Sequence, residues 1–309
     1  MRVILNPMSR HGAGARFRDV IQRELRLRGV DHELILTRAP GDATRLAREA
    51  AEQGMDRVVA AGGDGTLHEV VNGVMQASPA RIAVGIIPVG TGNDFVKMVP
   101  GTSTPAQAFD TLADGVTTAV DVGVAAWGGR AEYFINAMGT GIDVEVVRQM
   151  RRSRILTSGV SYVSALVRAL LRYRAIAVEV VVDGTAVSRR IMNLAVCNGP
   201  SIGGSFRICP DALIDDGVFD VCLIEELPLL RNARLVPRVL RGTHVGHGGV
   251  TMLRGTNVRL RSEPAAPLWF QLDGELRQAE DGAAGVSVSM APARLDVIRS
   301  PAREPVTNR

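Results

Sequence analysis

Up to about Val120, short apolar runs alternate with stretches in which apolar side chains recur every three or four positions. The runs at 2–6, 33–37, 57–61 and 82–88 predict strands, and the stretches at 15–28, 43–53 and 67–76 predict helices. In 15–28 the helical face is Phe17, Val20, Ile21 and Leu25, closed by Gly29. Strands alternating with helices of this length predict βαβ units around a parallel sheet. In such sheets ligands sit in the loops at the carboxyl ends of the strands. Beyond Val120 strand-like runs dominate, at 133–137, 176–182, 191–197, 218–224, 257–261, 268–272 and 286–290, divided by Gly, Asp and Pro turns. One helical interruption falls at 158–174. This pattern predicts a second, mainly antiparallel β domain of sandwich or barrel type. The expected division is 1–122, 123–298 and a disordered tail at 299–309 carrying Pro301 and Pro305.

Composition narrows this picture. With 309 residues, 46% of them apolar, the chain can bury two cores. No apolar stretch reaches the roughly 20 residues of a membrane span, and the opening run breaks at Pro7 too early for a signal peptide. Cys197, Cys209 and Cys222 are too few and too scattered for a disulfide framework or a zinc site, which fits a reducing cytoplasm. The net charge is +4, and Lys97 is the sole lysine. No P-loop lysine is therefore available, so backbone amides, arginines or a metal must hold any phosphate. Basic residues are not interleaved with aromatics, which make up 4% of the chain, so nucleic acid is not an expected partner.

Three loops between predicted strands and helices carry candidate chemistry. The first, Gly62-Gly63-Asp64-Gly65-Thr66-Leu67-His68, leaves the strand 57–61. Its glycines let successive N–H groups approach a phosphate with no Cβ in the way, and the helix start adds its positive dipole end. A carboxylate there would repel a bare phosphate, so Asp64 acts through Mg²⁺, a water, or hydrogen bonds that brace the loop. The second loop, Gly90-Thr91-Gly92-Asn93-Asp94, follows the next strand; Asn93 and Asp94 also suit helix capping. The third holds Asn6, Pro7, Ser9 and Arg10, with Thr37 ending the neighbouring strand. Later, Asp273-Gly274-Glu275 reads either as a hairpin turn or as a turn aiming a carboxylate into a cleft. His244 and His247 lack a third ligand nearby and read as turn residues.

Asn6-Pro-x-Ser9, Gly62-Gly-Asp-Gly-Thr66 and Pro88-x-Gly-Thr-Gly-Asn-Asp94, in this order, resemble the diacylglycerol kinase catalytic domain, in particular the bacterial branch of soluble lipid kinases. The resemblance continues through Phe134-Ile-Asn136, Gly141-Ile-Asp143, Asn198-Gly199, Pro210-x-Ala212, Asp216-Gly217 and Asp273-Gly-Glu275. It implies a Rossmann-like parallel α/β nucleotide domain followed by an antiparallel β-sandwich with an inserted helix. It also implies ATP at Asn6, Pro7, Ser9, Arg10, Thr37, Gly62 to His68, Gly90, Thr91, Asn93 and Asp94. Asp64 and Asp121 then belong to catalysis and its Mg²⁺ network, and Glu275 is the general base. Asp216 by its side chain, and Leu213 and Val218 by their carbonyls, would hold a structural Mg²⁺. Arg10 departs from the family, which often has Gly there.

The expected function is ATP- and Mg²⁺-dependent phosphorylation of a lipid hydroxyl at the inner membrane surface, with a homodimer left open. The alternatives are a related acceptor (a sphingoid base, phosphatidylglycerol or NAD) or a non-catalytic lipid-binding regulator on the same fold. Arginines flanking an apolar middle in 148–174 suit peripheral contact with an anionic membrane, or a surface helix packing on the β domain.

Overall fold

The computed structural model describes residues 1–301 apart from 11, 78–81, 153–168, 171–172, 205, 264–265, 281–284 and 292–293. The chain forms two compact units, Met1–Val120 with Arg294–Arg309, and Asp121–Ala293.

The first unit runs β1 (Arg2–Leu5), α1 (Phe17–Leu27), β2 (Glu33–Leu36), α2 (Asp42–Glu52), β3 (Arg57–Gly62), α3 (Asp64–Gln76), β4 (Ala83–Pro88), α4 (Pro105–Asp114) and β5 (Val116–Val120). Strands β1 to β4 are parallel: Val3 lies between Leu34 and Val59, and Val59 pairs with Gly85 on its other side. Ile21 and Leu25 of the predicted α1 face pack with Val3, Leu5, Val59 and Ile87 in one core. Helix α4 was not foreseen; Thr104 caps it by accepting from the Gln107 N–H, ahead of Pro105 in its first turn.

The second unit holds β6 (Gly123–Trp127), β7 (Arg130–Phe134), β8 (Ala137–Gly141), α5 (Ile142–Arg152), β9 (Ile176–Val182), β10 (Thr185–Cys197), β11 (Phe219–Glu225), α6 (Leu229–Arg241), β12 (Val250–Gly255), β13 (Asn257–Ser262), β14 (Leu268–Leu272), β15 (Glu275–Ala279) and β16 (Val286–Met290). All pairings in this large curled sheet are antiparallel, in the order β15-β14-β8-β10-β9-β13-β16-β6-β7, with β11 and β12 continuing from β10. The long β10 drives the curl. Its first half pairs with β9, and its second half pairs with β8 and β11. Trp127 meets Phe270 edge-to-face at 5.0 Å, and Phe134 stacks on Phe219 at 5.7 Å, inside this sandwich-like core.

Three expectations are corrected here. The last strand, β17 (Leu295–Arg299), inserts between β4 and β5 of the first sheet, so residues 295–298 of the expected second division pair with the first unit. Asp121 belongs to the second unit. The run 133–137 is two strand ends joined by Ile135 and Asn136, because Asp273 draws the backbone of that link inward. Of the expected tail, Arg299 is in β17 and the Ser300 N–H bonds the Pro100 carbonyl; 302–309 lie outside the described residues. Most of the expected helix 158–174 lies outside them too.

Candidate active site

In the first unit the three glycine-bearing loops meet at the carboxyl ends of β1, β3 and β4. Gly62 ends β3, and a Cβ there would fall 2.3 Å from the Thr66 hydroxyl oxygen; one on Gly90 would fall 2.3 Å from the Gly63 Cα. The Gly62–Thr66 and Gly90–Asp94 loops therefore pack backbone against backbone, a separation that any side chain would force open. Both the Val89 and Gly90 N–H groups donate to the Gly62 carbonyl at 2.9 Å. Helix α3 begins at Asp64, which brings the positive end of its dipole to this loop. Asp64 Oδ1 accepts the Asp94 N–H at 2.7 Å, while Oδ2 faces Gly92, where a Cβ would approach to 2.8 Å. Bracing is thus one of the roles of Asp64.

Asn6 joins its own loop to the Gly62–Thr66 loop. Its Nδ2 donates to Thr66 Oγ1 at 3.1 Å, and its Oδ1 accepts the Met8 N–H at 2.9 Å. The loop closes through Ser9 N–H to the Asn6 carbonyl and Ala15 N–H to the Pro7 carbonyl, with Arg10 exposed and in the left-handed region at φ 50°. Thr37 donates its N–H to the Leu5 carbonyl, just past β2. Asn93, also left-handed at φ 49°, donates to the Gly90 carbonyl and leaves its buried Oδ1 without a partner among the described residues; Thr91 is exposed beside it. Asp94 pairs with Lys97 at 2.8 Å. Leu67 and His68 are buried, so their side chains turn to the core. Glu69, given no role by sequence reasoning, caps α2 through the Gly41 and Ala43 N–H groups.

In the second unit Asp121 is fastened to the acidic loop ahead of β11. Its N–H donates to the Ile214 carbonyl at 2.7 Å, and its Oδ2 accepts the Gly217 N–H at 2.6 Å. Asp216 accepts the Val218 N–H at 3.3 Å and forms an ion pair with Arg254, whose Nε also lies 3.3 Å from Asp220. Burial pushes the Asp220 carboxyl above its ordinary range, against the pull of Arg254, and its Oδ2 has no hydrogen-bond partner among the described residues. The Asp216 carboxylate with the Leu213 and Val218 carbonyls is an all-oxygen donor set, which suits a hard cation such as Mg²⁺. A cation held there would share Asp216 with Arg254. Among the described residues no three or more His, Cys, Asp or Glu side chains group as metal ligands.

The Asp273-Gly274 turn joins β14 to β15 with both residues left-handed, at φ 49° and 89°, as a two-residue hairpin of the primed type requires. The Asp273 carboxylate accepts three backbone N–H groups, from Ile135 at 3.0 Å, Asn136 at 2.9 Å and Ala137 at 3.0 Å. Glu275 opens β15, half-buried and opposite Leu272. Gln271 accepts the Gly274 N–H at 2.6 Å and reaches Asp143 Oδ2 at 3.4 Å. Sequence reasoning assigned Asp143 no role of its own. It lies against Gly139, where a Cβ would be 1.9 Å from its Oδ2, and burial raises its pKa to about 7.

Asp143 also lines a cavity of about 80 Å³, walled chiefly by Ile142 and Val146 of α5, Met192 of β10, Ile224 of β11 and Leu235 and Val239 of α6. Asn193 and Asn232 are its other polar groups. The three cysteines are free thiols in the core beside it. His244 is a buried turn residue, its Nε2 3.0 Å from the Ile208 carbonyl, and burial lowers its pKa.

Two known domain families match successive parts of the chain. Residues 1–125 match the diacylglycerol kinase catalytic domain, and 136–299 match the YegS C-terminal NAD kinase beta sandwich-like domain. The diacylglycerol kinase of Bacillus subtilis (strain 168) is 30% identical over 277 residues, covering 89% of each chain. That of Mycobacterium tuberculosis (strain ATCC 25618 / H37Rv) is 31% identical over 300 residues, 96% of this chain and 94% of the relative. A solved diacylglycerol kinase from Bacillus anthracis str. Sterne shares the fold, with a TM-score of 0.72 at 20% identity over 97% of each chain.

Proposed function

Because the chain belongs to the diacylglycerol kinase family and is a kinase, we propose that it transfers the γ-phosphoryl group of ATP to the hydroxyl of a diacylglycerol-like lipid. The observation that carries the lipid acceptor is the cavity of the second unit. Its wall is aliphatic, and Asp143, the acid within it, is held largely uncharged up to near neutrality. Such a lining favours hydrocarbon over a charged soluble acceptor.

The residues divide the chemistry between them. The loops at Asn6 to Arg10, Gly62 to Thr66 and Gly90 to Asp94 cradle the triphosphate through backbone amides and the α3 dipole. Asp64 keeps two of these loops in register. Glu275, on a turn pinned by Asp273, takes the proton of the acceptor hydroxyl, a contribution of roughly 10²–10⁴ in rate. The hydroxyl oxygen then bonds the γ-phosphorus as the bond to the bridging oxygen of ADP breaks. Asp216 with the Leu213 and Val218 carbonyls, supported by Asp121, would hold Mg²⁺ on the acidic loop, and Asp64 belongs to the Mg²⁺ network at the nucleotide. Bound Mg²⁺ supplies neutralisation of phosphate charge.

The test is incubation with γ-labelled ATP and a panel of acceptors in mixed micelles: diacylglycerol, phosphatidylglycerol, a sphingoid base and NAD. Label should enter diacylglycerol. Asp64→Ala and Glu275→Gln should each abolish turnover, with Glu275→Gln still binding ATP. Label confined to NAD, or full activity in Glu275→Gln, would refute the assignment.

A further inference from the structure

Helix α6 (Leu229–Arg241) has two faces of opposite chemistry. Asn232, Leu235, Val236 and Val239 point inward and line the apolar cavity. Arg231, Arg234, Arg238 and Arg241 are exposed. At about 100° per residue the four arginines fall within about 80° of arc and run about 15 Å along the helix. None of the four guanidinium groups has an ion-pair partner among the described residues, and α6 contains no acidic residue. The neighbouring acids are engaged elsewhere: Glu225 pairs with Arg189 and Glu226 with Arg190. The same outer surface carries Leu230, 74% exposed, together with Ala233 and Pro237.

The geometry points to α6 as a docking helix for an anionic bilayer surface. The arginine row binds lipid phosphates, and Leu230 enters the headgroup boundary. This deepens the lipid-acceptor reading and rests on it, because the inner face of the docked helix is a wall of the cavity assigned to the acceptor. Charge complementarity selects an anionic partner. The exposed leucine within the cationic surface selects a bilayer over nucleic acid, which would call for aromatic side chains to stack on bases, and α6 has none. Gly242, left-handed at φ 72°, caps the helix, with the Thr243 N–H donating to the Arg238 carbonyl at 2.8 Å. The arginines are thereby displayed on a helix with a fixed end.

The experiment is sedimentation of the full chain, without ATP, with phosphatidylcholine vesicles lacking or containing about one-third phosphatidylglycerol. The parent chain should pellet with the anionic vesicles only, and less as salt rises. Arg234→Glu with Arg238→Glu should reduce binding at least about tenfold, Arg234→Lys with Arg238→Lys should keep most of it, and Leu230→Asp should weaken it. Circular dichroism establishes that each variant is folded, and Arg231→Gln with Arg241→Gln serves if the Glu pair is not. Equal pelleting of the parent and the folded charge variants overturns the proposal. So does a parent that ignores anionic vesicles while binding RNA or an acidic polypeptide through the same arginines. Pelleting is read apart from turnover, so a chain that docks but labels no lipid loses the acceptor reading while keeping the surface.

Discussion

At the scale of single residues, what decides the nucleotide loops is the absence of side chains. A Cβ at Gly90 would stand 2.3 Å from the Gly63 backbone, so Gly90→Ala must part the two loops. Its expected effect is a loss of ATP affinity of about tenfold or more with the far-UV spectrum unchanged, measured by nucleotide titration. This requirement was legible in the sequence, because glycines clustered after a strand have few other uses. The partner of Asp64 was not, since a carboxylate in such a loop serves a metal, a water or an N–H equally well until the fold brings Asp94 to it. Asp143 was likewise invisible as a buried acid, because its desolvation comes from neighbours distant in sequence. Its folded pKa of about 7 stands above the unfolded value of 3.8, so the native state binds the extra proton and stability falls as pH rises between the two. Above about 7 no further loss follows. Asp143→Asn should flatten this slope and raise the melting temperature at pH 8, by an amount on the order of 2–4 kcal/mol in stability. A thermal melt series from pH 4 to 8 reads it, and an unchanged slope would remove Asp143 as its cause.

At the scale of elements, the hairpin at Asp273 does two tasks with one residue. Its left-handed backbone makes the turn, and its carboxylate fastens the link between β7 and β8 through three N–H groups. Asp273→Ala leaves these donors without their acceptor. It should cost roughly 2–4 kcal/mol, seen as a lower denaturant midpoint, while Asp273→Asn, with one carbonyl oxygen left, should lose less. Because Glu275 follows the turn directly, turnover should fall along with stability. The Asp-Gly pair announced the hairpin in the sequence, but the brace joins residues 136 positions apart and leaves no local signal. The strands of β9, β13, β14 and β16 were equally readable, each an apolar or alternating run bounded by turns. Helix α6 was not foreseen: Pro237 inside it lacks an N–H to donate and argues against a helix interior, yet the helix runs through it with Pro237 on the exposed face. Helix α5 was missed because only the fold shows which side of its short, arginine-rich stretch is covered.

At the scale of the whole molecule, the chain order and the fold diverge once, at the end. An α/β unit, a β unit and a change of texture near Val120 were all visible in the apolar pattern. The return of β17 to the first sheet was not, because a five-residue strand of alternating Leu295, Val297 and Arg299 suits either sheet. Its place has consequences for stability. Val297 pairs with Val84 of the fully buried β4, and residues Leu295 to Arg299 pair along all of β5, which has no other strand neighbour among the described residues. Ile298 joins the core formed by Val3, Leu25 and Leu112. Ending the chain after residue 293 therefore removes a central strand from a sheet whose other members all precede Asp121, opening the edge of β4 and freeing β5. The core of the second unit contains none of the deleted residues. The truncated chain should lose amide protection throughout β1 to β4 together with ATP binding, and keep it in β9, β10 and β14. Hydrogen exchange read by mass spectrometry separates the outcomes, and protection retained in β4 of the shorter chain would mean that β17 merely covers the first sheet instead of holding it together.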